Sequence, residues 1–179
     1  MQYQARCTFC LMSQMISGLL LCVILSVSSS AAAARDFSLR YGVKSDDSTL
    51  DAFPSTKYLS LGIRDDISLF VYQYEVGTII DTNPGRSTSA FGIASIGLET
   101  KTENIFGFYL LGAGLFSSPD SLLSSVFEFS HDLGIGFKDK RGVGVDLAYR
   151  HISNAGLVPP NPGRNFLIMR LSVPWNTVF

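Results

Sequence analysis

From Phe37 onward the chain alternates with a period of two, and segment after segment places apolar and charged residues on opposite faces. Successive side chains of a β-strand point to opposite sides of a sheet, so the pattern specifies strands; nothing after Ala34 keeps a helical period. Eight segments are legible: Phe37–Lys44, Tyr58–Arg64, Ile67–Ile80, Ser89–Glu99, Ile105–Phe116, Ser124–Phe137, Val143–Ile152 and Asn165–Trp175. Turn-forming groups separate them, among them Arg64-Asp65-Asp66, Asn83-Pro84-Gly85, Ser117-Ser118-Pro119-Asp120 and the stretch from Lys138 to Gly142.

The two faces decide the class. One carries Leu39, Tyr41, Leu59, Leu61, Tyr74, Val76, Leu133, Ile135, Val145, Leu147, Met169 and Leu171. The other carries Arg40, Arg64, Gln73, Glu75, Glu99, Glu128, Asp132, Asp146, Arg150 and Arg170, interleaved with glycine and serine. A soluble sandwich would bury the apolar face. Here both signs of charge recur in register on the polar face, as residues pairing inside a narrow barrel would, and aromatics gather toward strand ends, as at membrane interfaces. The expected fold is all-β, an eight-stranded antiparallel transmembrane β-barrel of the bacterial outer membrane. Eight strands enclose an interior that side chains just fill, which excludes an open pore. An even strand count returns both ends to the periplasmic side. The turns around Asp65, Lys101 and Lys140 are then periplasmic, and the loops after strands one, three, five and seven face outward.

The N-terminus fits an exported chain. Arg6 is the only charge before Arg35, Ile16 to Val27 is an apolar run, and Ser28 to Ala34 supplies small residues for a peptidase. The run is short for a membrane-spanning helix, which needs about 20 apolar residues. We expect residues 1–34 to be a cleaved secretory signal peptide and residues 35–179 a single barrel domain. Cys7, Cys10 and Cys22 all fall in the leader, leaving no disulfide or thiolate in the remainder. Setting Arg6 aside leaves 13 of the 14 basic residues against 15 acidic ones, with no basic tract, so no nucleic-acid partner is expected.

One constellation carries chemistry. His151 and Ser153 stand two apart at the end of the seventh segment, on the face of Val145, Leu147 and Tyr149, which is the lipid face. Polar groups facing lipid cost energy, and the bland reading is a strand leaving the hydrocarbon for the headgroups. The surroundings favour more. Asn154, Gly156 and Pro160-Asn161-Pro162-Gly163 form a loop in which Gly156 permits close approach, and the amides of Asn154 and Asn161 can aim at a carbonyl oxygen. A serine activated by a histidine beside such donors suits ester hydrolysis, and a lipid-facing site implies a lipid acyl ester. Arg86 and Arg164 are expected at an extracellular loop rim, where they either meet phosphates or are simply solvated. A tight turn around Asp139–Arg141 sets His131 opposite Tyr149 and diagonal to His151. Two histidines without a carboxylate cluster imply no metal site and no cofactor.

The run His151-Ile152-Ser153-Asn154-Ala155-Gly156, with Pro160-Asn161-Pro162-Gly163 and a closing strand, resembles the outer-membrane lipid A 3-O-deacylase (PagL-type) family. The likeness is sharp over residues 149–175 and architectural elsewhere. It implies hydrolysis of the ester-linked acyl chain at position 3 of lipid A without a metal, with lipopolysaccharide as the partner. Carried over, Ser153 is the nucleophile, His151 the base, and Asn161 with Asn154 the oxyanion donors. The family's pattern has a glutamate fourteen residues after the histidine; this chain has Asn165. Asparagine can orient an imidazole but cannot neutralise an imidazolium, which keeps a second reading in play: a catalytically weak or inactive barrel that binds lipopolysaccharide or serves a structural role. Dimerisation through the lipid face stays open.

Overall fold

The computed structural model describes residues 34–45, 56–67, 69–82, 88–119 and 123–178. Eight strands follow in order: β1 (Ala34–Lys44), β2 (Thr56–Ile67), β3 (Phe70–Asp81), β4 (Ser89–Lys101), β5 (Ile105–Phe116), β6 (Phe127–Lys138), β7 (Gly144–Ser153) and β8 (Arg164–Pro174). Each pairs antiparallel with its sequence neighbours, and β8 pairs with β1, so the sheet closes into the expected eight-stranded barrel. Closure leaves no sheet edge with unpaired backbone, the condition a strand fold must meet in lipid. The expected leader lies outside the described residues except for Ala34, which opens β1. Arg86 and the turn Asn83-Pro84-Gly85 also lie outside them.

The barrel is inverted relative to a soluble protein. All ten charged or polar residues read onto one face are buried, with Gln73 and Arg150 at 0% exposure, whereas Leu133 and Ile135 on the other face are 65% and 61% exposed. A continuous apolar exterior of this kind marks a surface solvated by something other than water.

Inside, charges pair. Arg150 donates through Nε to Asp132 Oδ1 at 2.6 Å and also bonds Glu75 and Tyr58. Arg40 donates to Glu75 Oε2 at 3.0 Å, and Arg170 bonds Asp146 and donates to Gln73 Oε1 at 3.2 Å. Apolar side chains fill the space on either side of this polar belt. Tyr58, Ile79, Phe91, Phe116, Ile152 and Phe166 cluster toward the loop end, and Val71, Phe106, Phe108, Leu110 and Ala148 form a second group. The lumen is a filled core.

Several boundaries differ from the sequence reading, and three of the differences have a clear physical cause. Asp65 and Asp66 stay within β2, because Arg35 bonds Asp65 at 2.9 Å and Lys101 bonds Asp66 at 2.8 Å; the chain turns after Ile67 instead. β8 stops at Pro174, which has no N–H to continue a ladder, and Trp175–Val178 forms one helical turn, α1. The β6–β7 connection runs from Asp139 to Val143. Asp139 Oδ1 accepts from Arg141 N and Val143 N, both at 2.9 Å, and Gly142 supplies a positive φ of 85°. That turn is longer than the tight one expected. The strands therefore pair two residues out from the predicted register, which keeps every side chain on its face.

Replacing Arg150 with Met leaves Asp132 and Glu75 buried with Arg40 as their remaining cation, 3.7 Å and 3.0 Å away. Denaturant unfolding of the refolded barrel is expected to show a loss of about 3–5 kcal/mol. Leu147→Met on the lipid face should change stability by less than about 1.5 kcal/mol.

Candidate active site

The outward direction of the proposed catalytic pair follows from what brackets it. Along β7, Arg150 and Ile152 are fully buried in the lumen. Their alternate neighbours His151 and Ser153 must then emerge on the outer wall. On β8, Asn165 stands directly opposite His151. His151 Nδ1 and Asn165 Oδ1 are 2.7 Å apart. An amide oxygen accepts only from a protonated nitrogen, so this bond keeps the proton on Nδ1 and the lone pair on Nε2. No hydrogen bond joins Ser153 Oγ to the imidazole in this structure.

The glycine that lets the loop close on the pair is Gly163, not Gly156. Gly163 has φ of 71°, and a Cβ added there would lie 2.8 Å from His151 Cε1 and 3.2 Å from Ser153 Cβ. The returning chain thus touches both side chains at a point where only hydrogen fits. At Gly156 a Cβ would meet nothing within 4 Å.

The two asparagines divide the expected oxyanion role unequally. Asn154 is fully buried, and its Nδ2 donates to Ser124 Oγ at 2.8 Å and Val158 O at 2.9 Å, while its Oδ1 accepts from Gly156 N at 3.0 Å. Its amide is committed to folding the loop and does not face the pair. The reason is parity: as the residue after Ser153, it turns inward. Asn161 Oδ1 accepts from Asn154 N at 3.2 Å, which leaves both Nδ2 hydrogens unused among the described residues. Ser124 pins the arrangement from the preceding loop, donating to Val158 O at 2.7 Å. No local sequence pattern announced Ser124, since its partners lie 30 and 34 residues away.

Other expectations are corrected by the geometry. His131 sits opposite His151, and Leu133 opposite Tyr149, as the longer β6–β7 turn requires. Arg164 is buried against Asp81 at 3.4 Å, not exposed at a loop rim. Glu128, Asp132 and Asp146, by contrast, are buried and hydrogen-bonded within the lumen where alternation placed them, so none replaces the missing acid.

A family profile described as lipid A 3-O-deacylase (PagL) matches residues 55–174, which takes in β2 to β8. The chain belongs to that family. The PagL lipid A deacylase of Bordetella bronchiseptica is 40% identical to it over 62 residues, which make up 31% of this chain and 35% of that protein. The aligned stretch is therefore about a third of the relative's length. The crystal structure of the outer membrane enzyme PagL shares the fold, with a TM-score of 0.58 and 21% identity, covering 78% of this chain and 99% of that one. For this deacylase-family barrel the outer membrane is the location in which its apolar exterior is solvated.

Asn154→Ala removes three hydrogen bonds from the loop. We expect thermal unfolding to report a loss of about 1–3 kcal/mol, and limited proteolysis to cut faster within residues 155–163. Asn161→Ala, which releases a single backbone N–H, should loosen the loop less.

Proposed function

We propose that the chain is a lipid A 3-O-deacylase that cleaves an ester-linked acyl chain of lipopolysaccharide from within the outer leaflet. On this reading residues 1–34 direct export and the loop end carrying the site faces outward. The observation that carries the reading is the bond between His151 Nδ1 and Asn165 Oδ1, on the lipid-facing wall and beside Ser153. It presents the Nε2 lone pair on the ring edge left free to receive the serine proton.

The chemistry then runs in two halves. Ser153 Oγ attacks the ester carbonyl as its proton passes to His151 Nε2. The carbonyl oxygen takes the negative charge, and the Nδ2 hydrogens of Asn161, which have no other acceptor among the described residues, donate to it. Collapse breaks the ester bond, the sugar oxygen takes the proton from His151, and the acyl chain stays on Ser153. Water, deprotonated by His151, attacks the acyl-serine; collapse releases the fatty acid, and Ser153 Oγ takes the proton back from His151. The serine–histidine hydrogen bond forms when substrate draws the two together, as resting active sites commonly leave such bonds long.

Asn165 favours a second reading, a barrel with little turnover that retains the lipid-binding surface. Asparagine fixes the tautomer but adds no negative charge beside the imidazolium, a deficit worth up to about 10⁴-fold in serine hydrolases.

Mass spectrometry of lipid A after incubation with refolded protein separates the readings. The wild type should remove one ester-linked hydroxyacyl chain, with Ser153→Ala and His151→Ala inactive though folded. Asn165→Glu should raise kcat by about 10-fold or more, and Asn165→Leu should lower it. Unchanged lipid A with both wild type and Asn165→Glu would overturn the deacylase reading.

A further inference from the structure

Two histidines stand side by side on the outer wall. The β6–β7 register sets His131 directly opposite His151, and their ring centroids are 6.5 Å apart with planes inclined by 46°. Each ring has its Nδ1 engaged on the side away from the other. His151 Nδ1 meets Asn165 Oδ1 of β8 at 2.7 Å, and His131 Nδ1 meets Tyr109 Oη of β5 at 2.9 Å. Nδ1 and Cδ2 leave Cγ on opposite edges of an imidazole. A ring whose Nδ1 is held outward therefore presents its Cδ2–Nε2 edge to the gap between β6 and β7.

Metal-binding imidazoles are arranged in this manner, one nitrogen hydrogen-bonded to a fixed oxygen and the other offering its lone pair. Zinc–nitrogen bonds of about 2.1 Å put the centroids of two rings on one ion roughly 5–6 Å apart. Small side-chain rotations close that difference from the 6.5 Å observed.

We propose that His131 and His151 form a two-histidine site for a divalent transition metal such as zinc, and that metal bound there silences hydrolysis. Among the described residues no cluster of three His, Cys, Asp or Glu side chains converges, so water completes the coordination. The metal is an inhibitor, not a resident cofactor. It takes the Nε2 lone pair that must otherwise accept the Ser153 proton, and no covalent bond in the protein changes. The binding claim stands on the geometry alone; the inhibition claim rests on the deacylase reading.

Calorimetric titration of the untagged full chain with zinc chloride, its three cysteines alkylated, decides the site. Wild type and Ser153→Ala are expected to bind one ion with equal affinity. His131→Phe, an apolar replacement at a lipid-facing position, should weaken binding at least tenfold while circular dichroism confirms the barrel. Tyr109→Phe, which keeps both ligands, should weaken it less. Lipid A hydrolysis by the wild type should fall as zinc binds, with the midpoint at least tenfold higher in His131→Phe. Equal affinities in wild type and His131→Phe would overturn the site. Zinc bound without loss of hydrolysis would overturn the inhibition. Failure of the zinc-free wild type to release any acyl chain would sink the inhibition together with the deacylase reading, and calorimetry would still decide the site.

Discussion

The guanidinium of Arg150, held between Asp132 and Glu75 at the centre of the lumen, ties the barrel and the candidate site to one set of bonds. Fully desolvated, it cannot leave without depriving two buried carboxylates of one of their two cations, Arg40 being the other, so it pins β7 against β6 and reaches across to β3. Ile152, two residues on, is buried in the apolar cluster at the loop end. With both inward positions occupied, a strand has one place left for His151 and Ser153. The polar network inside the barrel is what turns the candidate catalytic side chains toward lipid.

Two media meet at this wall. Inside, among the described residues, ion pairs and packed aromatics fill the lumen; outside, aliphatic side chains expect hydrocarbon. A water-soluble substrate would have no reason to visit the outer face, whereas a lipid ester embedded in the leaflet is already there. The loop after β7 folds across this boundary. Asn154 turns inward to bind the loop to Ser124, and Asn161 holds the backbone from the other side. Gly163 brings the returning chain against the histidine and the serine. The neutral partner Asn165 fixes the His151 tautomer without lending charge.

Much of this was legible in the chain because the period of a strand is strict. Arg40, Glu75, Asp132, Arg150 and Arg170 were assigned to the lumen by alternation alone, and all are buried. Alternation fails where register is set by turns. His131 was misplaced by two residues because the span from Asp139 to Val143 is shaped by hydrogen bonds of one aspartate side chain. The aspartates after Arg64 resembled a turn, yet Arg35 and Lys101 from other strands hold them in the ladder. Asn154 looked like an oxyanion donor because residue type is visible in a sequence and the partners of its amide are not.

The sequence by itself determined the strand count, the inside-out distribution of charge and the positions of His151, Ser153 and Asn165. Each depends on local period or on spacing along one chain, and a spacing of fourteen residues needed only a hairpin to bring histidine and asparagine together. The tertiary structure alone decided that Asn154 is spent on the loop, that Gly163 rather than Gly156 is the point of close approach, and that the two histidines stand side by side. Those outcomes depend on pairing register and on contacts between residues up to dozens of positions apart. Such contacts are set by the closure of the whole barrel, which no segment of the chain encodes alone.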